Sequence, residues 1–267
     1  MTTATIEPGV EAAAPPVVRQ LPRPRILSTE LRKMFDTRSG FWLMISIAVA
    51  AVLATAAVVA FAPDAEQTYS TFGTAVGFPM AVLLPVVAIL SVTSEWSQRS
   101  GLTTFTLVPR RGRVIAAKAV CSVAVGVVSM VLAFGIGALG NLVGPAISGA
   151  DRVWDTSLVD LANIVLANVL GLLVGFMLGV LIRNSAGAIV GYFVYSFVLP
   201  TLSAVLAGTQ HWFRDLQPWV DFNYAQSALF NGSLTGEQWA HLGVTALVWL
   251  VIPIAVGVRL VMRSEVK

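Results

Sequence analysis

Six long apolar runs, near residues 41–61, 72–92, 115–142, 159–182, 185–207 and 238–259, dominate the chain, and each reaches the ~20 residues a helix needs to cross a membrane. A segment in lipid has no water to satisfy its peptide groups, so runs of this length predict helices. The pattern therefore predicts an all-α integral membrane protein with six transmembrane helices. Residues 1–24 carry five of the thirteen prolines and no apolar periodicity, which predicts a disordered tail. From Arg25 the pattern changes. Leu27, Leu31, Met34 and Phe35 recur at i, i+4, i+7 and i+8, while Thr29, Glu30, Arg32, Lys33 and Asp36 occupy the other face. This spacing predicts a short amphipathic helix lying in the headgroup plane, with Leu27, Leu31, Arg32, Lys33, Met34 and Phe35 as its interfacial set. It reads equally well as a plain anchor or as a ledge for a partner.

The stretch Gly208–Glu237, between the fifth and sixth runs, is neither clearly apolar nor clearly polar. Trp212, Leu216, Trp219 and Val220 repeat the i, i+4, i+7, i+8 spacing, with Pro218 interrupting it and Phe213 beside Trp212. Aromatic residues of this kind favour the membrane interface, so Trp212, Phe213, Leu216 and Trp219 predict short outer helices that dip partway into one leaflet. Thr235 and Gln238 form a capping box that starts the sixth span. Inside the spans, Pro79 and Pro85 predict a bend in the second helix. Gly135, Gly137, Gly140 and Gly144 predict that the third breaks near its end. Gly171, Gly175 and Gly179, four apart, let helices approach closely, and packing inside one subunit is favoured over a dimer seam. Arg183, Asn184 and Ser185 leave room only for a tight hairpin between spans four and five.

Composition agrees: 56% of residues are hydrophobic and 12% charged, with a mean hydropathy of +0.79. Charge adds an orientation. With the N-terminus inside, fifteen of the seventeen Lys and Arg residues fall on the cytoplasmic side, leaving only Arg152 and Arg214 outside. Both termini are then cytoplasmic, and the positive charge is explained by topology rather than by nucleic acid. The N-terminus lacks the pattern of a signal peptide, so the first span is expected to act as an uncleaved insertion signal. Cys121 is the only cysteine, which excludes an intrachain disulfide. His211 and His241 are the only histidines, and no HExxH or GxSG pattern accompanies them, so intramembrane catalysis is not expected. None of Lys33, Lys118 and Lys267 follows a glycine, which excludes a Walker A loop. Away from their ends the spans hold almost no ionisable side chains, unlike ion-coupled carriers, although Asn163, Asn168 or backbone carbonyls stay open as ion ligands. If this protein moves something, the energy must enter from outside the membrane.

The loop between the second and third spans, EWSQRSGLTTFTLVPRRGRVIAAK from Glu95 to Lys118, is where such energy would enter. Glu95, then Arg99, Gly101 and Leu102, then Pro109, Arg110 and Arg111, then Lys118 opening the third span, resemble the pattern of the membrane subunits of type-2 ATP-binding-cassette (ABC-2) exporters. The resemblance extends over about residues 25–267. It implies a permease that lines the translocation path and pairs with a second membrane subunit, identical or not, and with two separate ATPase subunits. ATP and magnesium would bind in those ATPases, with no cofactor on this chain, and the protein would sit in a bacterial inner membrane. It also implies that residues near Ser94–Gly101 form a coupling helix, with Glu95, Trp96, Arg99, Gly101, Arg110, Arg111 and Arg113 serving ATPase coupling. Glu95 and Arg99, four apart, could alternatively pair with each other. The rival reading is a non-transporting scaffold or an immunity protein that engages a partner through the outer aromatic segment.

Overall fold

The first helix, α1 (Arg23–Asp36), is followed after one residue by α2 (Arg38–Phe61), and the chain then crosses back and forth as helices alone. The computed structural model describes residues 23–36, 38–97, 111–149 and 151–263. After a 3-10 turn at Asp64–Glu66 come α3 (Tyr69–Ser97), α4 (Arg111–Ser148) and α5 (Leu158–Ile182). Next are α6 (Ser185–Thr209), the short α7 (His211–Val220) and α8 (Phe222–Ser227), and finally α9 (Gly236–Arg263). Six helices, α2 to α6 and α9, are long and apolar enough to cross a membrane, and among the described residues there is no strand. The all-α, six-span architecture expected from the apolar runs is the one observed.

Helix α3 is the hub, packing against α2, α4, α5 and α6. Its side chains Phe72, Val76, Met80, Leu84, Ala88 and Ile89 are completely buried, so the centre of the core is a column of one helix's residues. Helix α5 closes on α3 through the glycine stripe. A Cβ on Gly175 would stand 2.6 Å from the Pro85 carbonyl oxygen and 2.9 Å from its Cα, contacts that only glycine avoids. The stripe thus packs two helices of one chain, as the favoured reading had it.

Proline shapes three of the spans, and each time something compensates. Helix α3 runs unbroken through Pro79 and Pro85. Pro85 has no N–H to offer the Ala81 carbonyl one turn back. That carbonyl instead accepts from the Tyr192 hydroxyl of α6 at 2.7 Å. In α6 and α9 the helix widens to a π turn, at Val194–Val198 and Leu247–Val251, each ending two residues before a proline, Pro200 and Pro253. A π turn realigns the backbone where proline removes the regular bond.

Two expectations are corrected. The third span does not break at its glycines: α4 continues as one helix through Gly140, Gly144 and Pro145 to Ser148. Those glycines serve close packing, since an added Cβ would run into Thr55 and Phe72 at Gly140 and into Gln67 at Gly144. Nor does Pro218 interrupt the outer helix, for α7 passes through it to Val220. The capping box at Thr235 and Gln238 is present, with Thr235 Oγ1 accepting from the Gln238 amide and Gln238 Oε1 from the Thr235 amide. The tight hairpin is also present. Arg183 closes α5 in the left-handed region at φ 56°, and Asn184 caps α6 by accepting from the Gly187 amide at 2.8 Å.

Candidate functional site

Glu95 and Lys118, an acid and a base, lie near the ends of α3 and α4 that flank the 98–110 stretch, and α1 adds a further acid and base beside them. Glu30 sits between Ile26 and Met34 at four-residue spacing, and all three are buried, at 4%, 7% and 9% exposure. A helix places such residues on one stripe, so the stripe of α1 that meets the bundle carries a carboxylate at its centre. Lys33, one turn on, reaches the same place. The result is a quartet of Glu30, Lys33, Glu95 and Lys118.

Lys118 is its centre. Its ammonium lies 2.6 Å from Glu30 Oε2 and 3.1 Å from Glu95 Oε1, and it donates to the Ser91 carbonyl at 2.9 Å. Three acceptors match the three protons of an ammonium, which is what makes a nearly fully buried lysine tolerable. Lys33 joins from the rim, 3.0 Å from Glu30 Oε1 and 3.1 Å from Glu95 Oε1. Both carboxylates therefore bridge both cations, and the four formal charges cancel. Burial works against the Lys33 ammonium, but the hydrogen bond and charge of Glu30, with those of Glu95, outweigh it and raise its pKa above the ordinary value. The clasp is extended by Ser91 Oγ and Ser122 Oγ at 3.1 Å and by the Cys121 thiol, which donates to the Leu27 carbonyl at 3.5 Å.

The α5–α6 hairpin docks beside this cluster. The Arg183 guanidinium stands 6.0 Å over the Trp96 ring, and Thr93 Oγ1 lies 2.8 Å from Ser185 Oγ. The loop-facing end of α3 is thus held on one side by α1 and α4 and on the other by the hairpin.

The structure sorts the sequence-predicted residues accordingly. Glu95 is 4% exposed and turned into the quartet, so its carboxylate is engaged within the chain rather than offered at a surface. Trp96 is half-buried beneath Arg183, and Arg113 is half-buried in the first turn of α4. Arg99, Gly101 and Arg110 lie outside the described residues, as does the side chain of Arg111. In α1, Met34 is buried and Leu27 half-buried, whereas Leu31 and Phe35 are exposed at 40% and 46%. Arg32 pairs with Asp36 at 3.1 Å in the open. The assignment of Glu30 and Lys33 to a polar face turned away from the apolar one needs correcting. Lys118 holds Glu30 inward, Glu30 and Glu95 draw Lys33 to the rim of the cluster, and Leu31 and Phe35 are left outside. The missed residue is Glu30, and its signal was its place between two apolar residues on one stripe.

At the opposite end, Trp212, Leu216 and Trp219 of α7 are exposed and Phe213 is half-buried. Trp219 meets His241 of α9 edge-on at 4.3 Å, and Trp249 donates from Nε1 to the Val220 carbonyl at 2.7 Å. Between α3 and the start of α5, Asp155 accepts from the Ser70 amide at 2.8 Å. Burial would raise its pKa, but this bond and those from Thr68 and Ser70 hold it below the usual carboxylate value.

A comparison with protein-family models matches residues 26–199 to the ABC-2 family transporter protein model, about two thirds of the chain. The chain belongs to the ABC-2 transporter family. It is a permease component of an ABC transporter, a multi-pass membrane protein and a transport component rather than a catalytic one. Membership implies association of this permease with ABC ATPases. The matched segment contains the whole quartet and the α5–α6 hairpin, while α7, α8 and α9 of the permease lie beyond it. No curated protein matches the permease.

Proposed function

We propose that this permease is half of an ATP-driven exporter, coupled to two ATPase subunits through the 98–110 stretch and the end of α3. The observation that carries the reading is the quartet. It ties α1 to both helices that flank the stretch, so a displacement applied there reaches α1, α3 and α4 together. Rigid helices joined by a buried, fully paired cluster move as a unit more readily than by independent bending. The coupling segment is Ser94–Gly101, with Trp96, Arg99, Arg110, Arg111 and Arg113 toward the ATPase and Glu95 as the anchor that transmits the motion inward. ATP and magnesium bind in the ATPases, and their closure must favour one permease state over the other by differential contact.

The charge distribution supports the placement of this end in the cytoplasm, with both termini there and the protein in a bacterial plasma membrane. The translocation path lies against a second membrane subunit, and the uncharged faces of the spans favour a lipophilic cargo. Affinity purification of the full chain from its native membrane in mild detergent tests the reading. An ABC ATPase should co-purify and turn over nucleotide. Glu95→Gln, close to isosteric, should keep membrane insertion and ATPase association while lowering permease-dependent stimulation of turnover. Recovery of the chain with no ATPase attached would overturn the proposal.

A further inference from the structure

The segment between α6 and α9 does more than cover the end of the bundle. Gln226 of α8 donates to the Ala167 carbonyl at 2.7 Å, and Asn223 donates to the Tyr195 carbonyl at 3.2 Å. Ala167 lies nine residues inside α5 from Leu158, or about 14 Å at the helical rise. That is roughly half of the ~30 Å hydrocarbon core. Helix α8 therefore reaches well inside the length of α5, where it borders an open-sided cavity of about 410 Å³ shared with α3, α5 and α6.

The one charged group among the described residues lining this cavity is acidic, and the deeply buried polar atom left without a partner is an acceptor. Asn168, 3% exposed, donates its amide to the Ile164 carbonyl at 2.9 Å, and its Oδ1 has no partner among the described residues. The amide groups of Asn223 and Gln226 are likewise committed to carbonyls, which can only accept. These bonds orient the three side chains, and each keeps its oxygen and the second N–H of its amide for a further partner. Asp221, which caps α8 by accepting from the Tyr224 amide at 3.1 Å, adds a carboxylate. Among the described residues, no lysine or arginine lines the cavity. Phe78, Phe197, Tyr224 and Phe230 contribute rings that are themselves largely exposed. A buried acceptor without a donor, as Asn168 Oδ1 is, is costly unless a donor arrives. A cation is also attracted to aromatic faces.

We infer that this cavity binds a lipophilic amine, its ammonium among Asn168, Asp221, Asn223 and Gln226 and its apolar body against the aromatic rings. A zwitterionic phospholipid headgroup fits less well, since no cation among the described lining residues would balance its phosphate and the Asp221 carboxylate would repel it. As a station for cargo the site rests on the exporter reading, whereas binding of the amine by the chain alone does not.

Equilibrium binding to the full chain in nanodiscs tests the inference, with naphthylmethylamine as the fluorescent probe and naphthylmethanol and naphthoate as matched neutral and anionic controls. Partition into empty nanodiscs is subtracted. The amine should bind saturably and about tenfold or more tighter than the alcohol, with naphthoate weakest. Asp221→Asn keeps a capping side chain and removes the charge, and it should lower amine affinity about tenfold while leaving the alcohol unchanged. Asn168→Asp, which adds a carboxylate at nearly constant size, should tighten the amine. Equal binding of the three probes, no binding beyond that of empty nanodiscs, or an amine preference untouched in both variants would overturn the site. Selective amine binding with no effect on nucleotide turnover would support the site and count against the exporter reading alone.

Discussion

Lys118 shows how one side chain can hold three helices. Its ammonium meets Glu30 of α1, Glu95 of α3 and the Ser91 carbonyl, and it is itself nearly inaccessible. Removing one partner of such a cluster strands charge where water cannot reach it. Lys118→Met should therefore cost about 3–5 kcal/mol. Lys33 is 40% exposed at its side chain, so its contacts are screened, and Lys33→Met should cost about 1 kcal/mol or less. Thermal unfolding in detergent, followed by size-exclusion recovery, should rank the two in that order. Glu30→Gln combined with Lys118→Met leaves one cation facing one anion and should recover part of the loss. Lys33 also has a pH signature. Because its pKa is raised above 10.5, its contribution is complete at neutral pH and is lost only as pH climbs beyond the ordinary lysine range. The chain sequence shows the charges but not this ranking, which depends on how far each group is buried.

At the scale of elements, the α3–α5 contact is set by a single missing Cβ. At Gly175 the neighbour is Pro85 backbone, which cannot move aside, whereas at Gly171 the nearest atoms are side-chain ends at 3.6 and 3.8 Å. Gly175→Ala should destabilise by about 1–3 kcal/mol through overpacking, and Gly171→Ala should be close to neutral. Comparing the detergent-solubilised yield and melting temperature of the two variants checks this, and equal behaviour would remove Gly175 from its place at the contact. The four-residue glycine spacing was visible in the sequence, but it could not say which glycine faces backbone. Helix α1 makes the complementary point. Its amphipathic period fixed its existence, yet the apolar face read from that period put Leu31 and Phe35 with Met34, while the bundle takes Ile26, Glu30 and Met34. A buried pair on α3 and α4 turned the helix toward its own carboxylate.

For the whole molecule, the spans differ in how much of themselves the chain covers. Half of the apolar window of α3 and of α5 is buried, against 22% for α2 and α9 and 6% for α6. The last three leave broad apolar faces for lipid or a second subunit. The basic bias argues for one orientation of the six spans, and labelling tests it. In a Cys121→Ala background, a cysteine at Thr104 should react with an impermeant maleimide only from the cytoplasm and one at Ser233 only from outside. Reaction of both from one side would reject six spans in that orientation. Cys121 is buried and contacts α1, so its replacement should be checked for retained folding.

The sequence by itself determined what is local. Apolar runs set the number of the spans, Thr235 with Gln238 set the start of α9, and the shortness of the Arg183–Ser185 link set the hairpin. Lipid enforces such features within each segment, because every peptide group must be satisfied by its own helix. What only the tertiary structure decided is long-range. Glu30 and Lys118 meet across two intervening spans, Tyr192 covers the carbonyl that Pro85 leaves open, and Asn168, Asn223 and Gln226 each donate to backbone around one cavity. Polar groups in a membrane must find partners wherever packing brings them, and a single chain of letters does not say which helices will be neighbours.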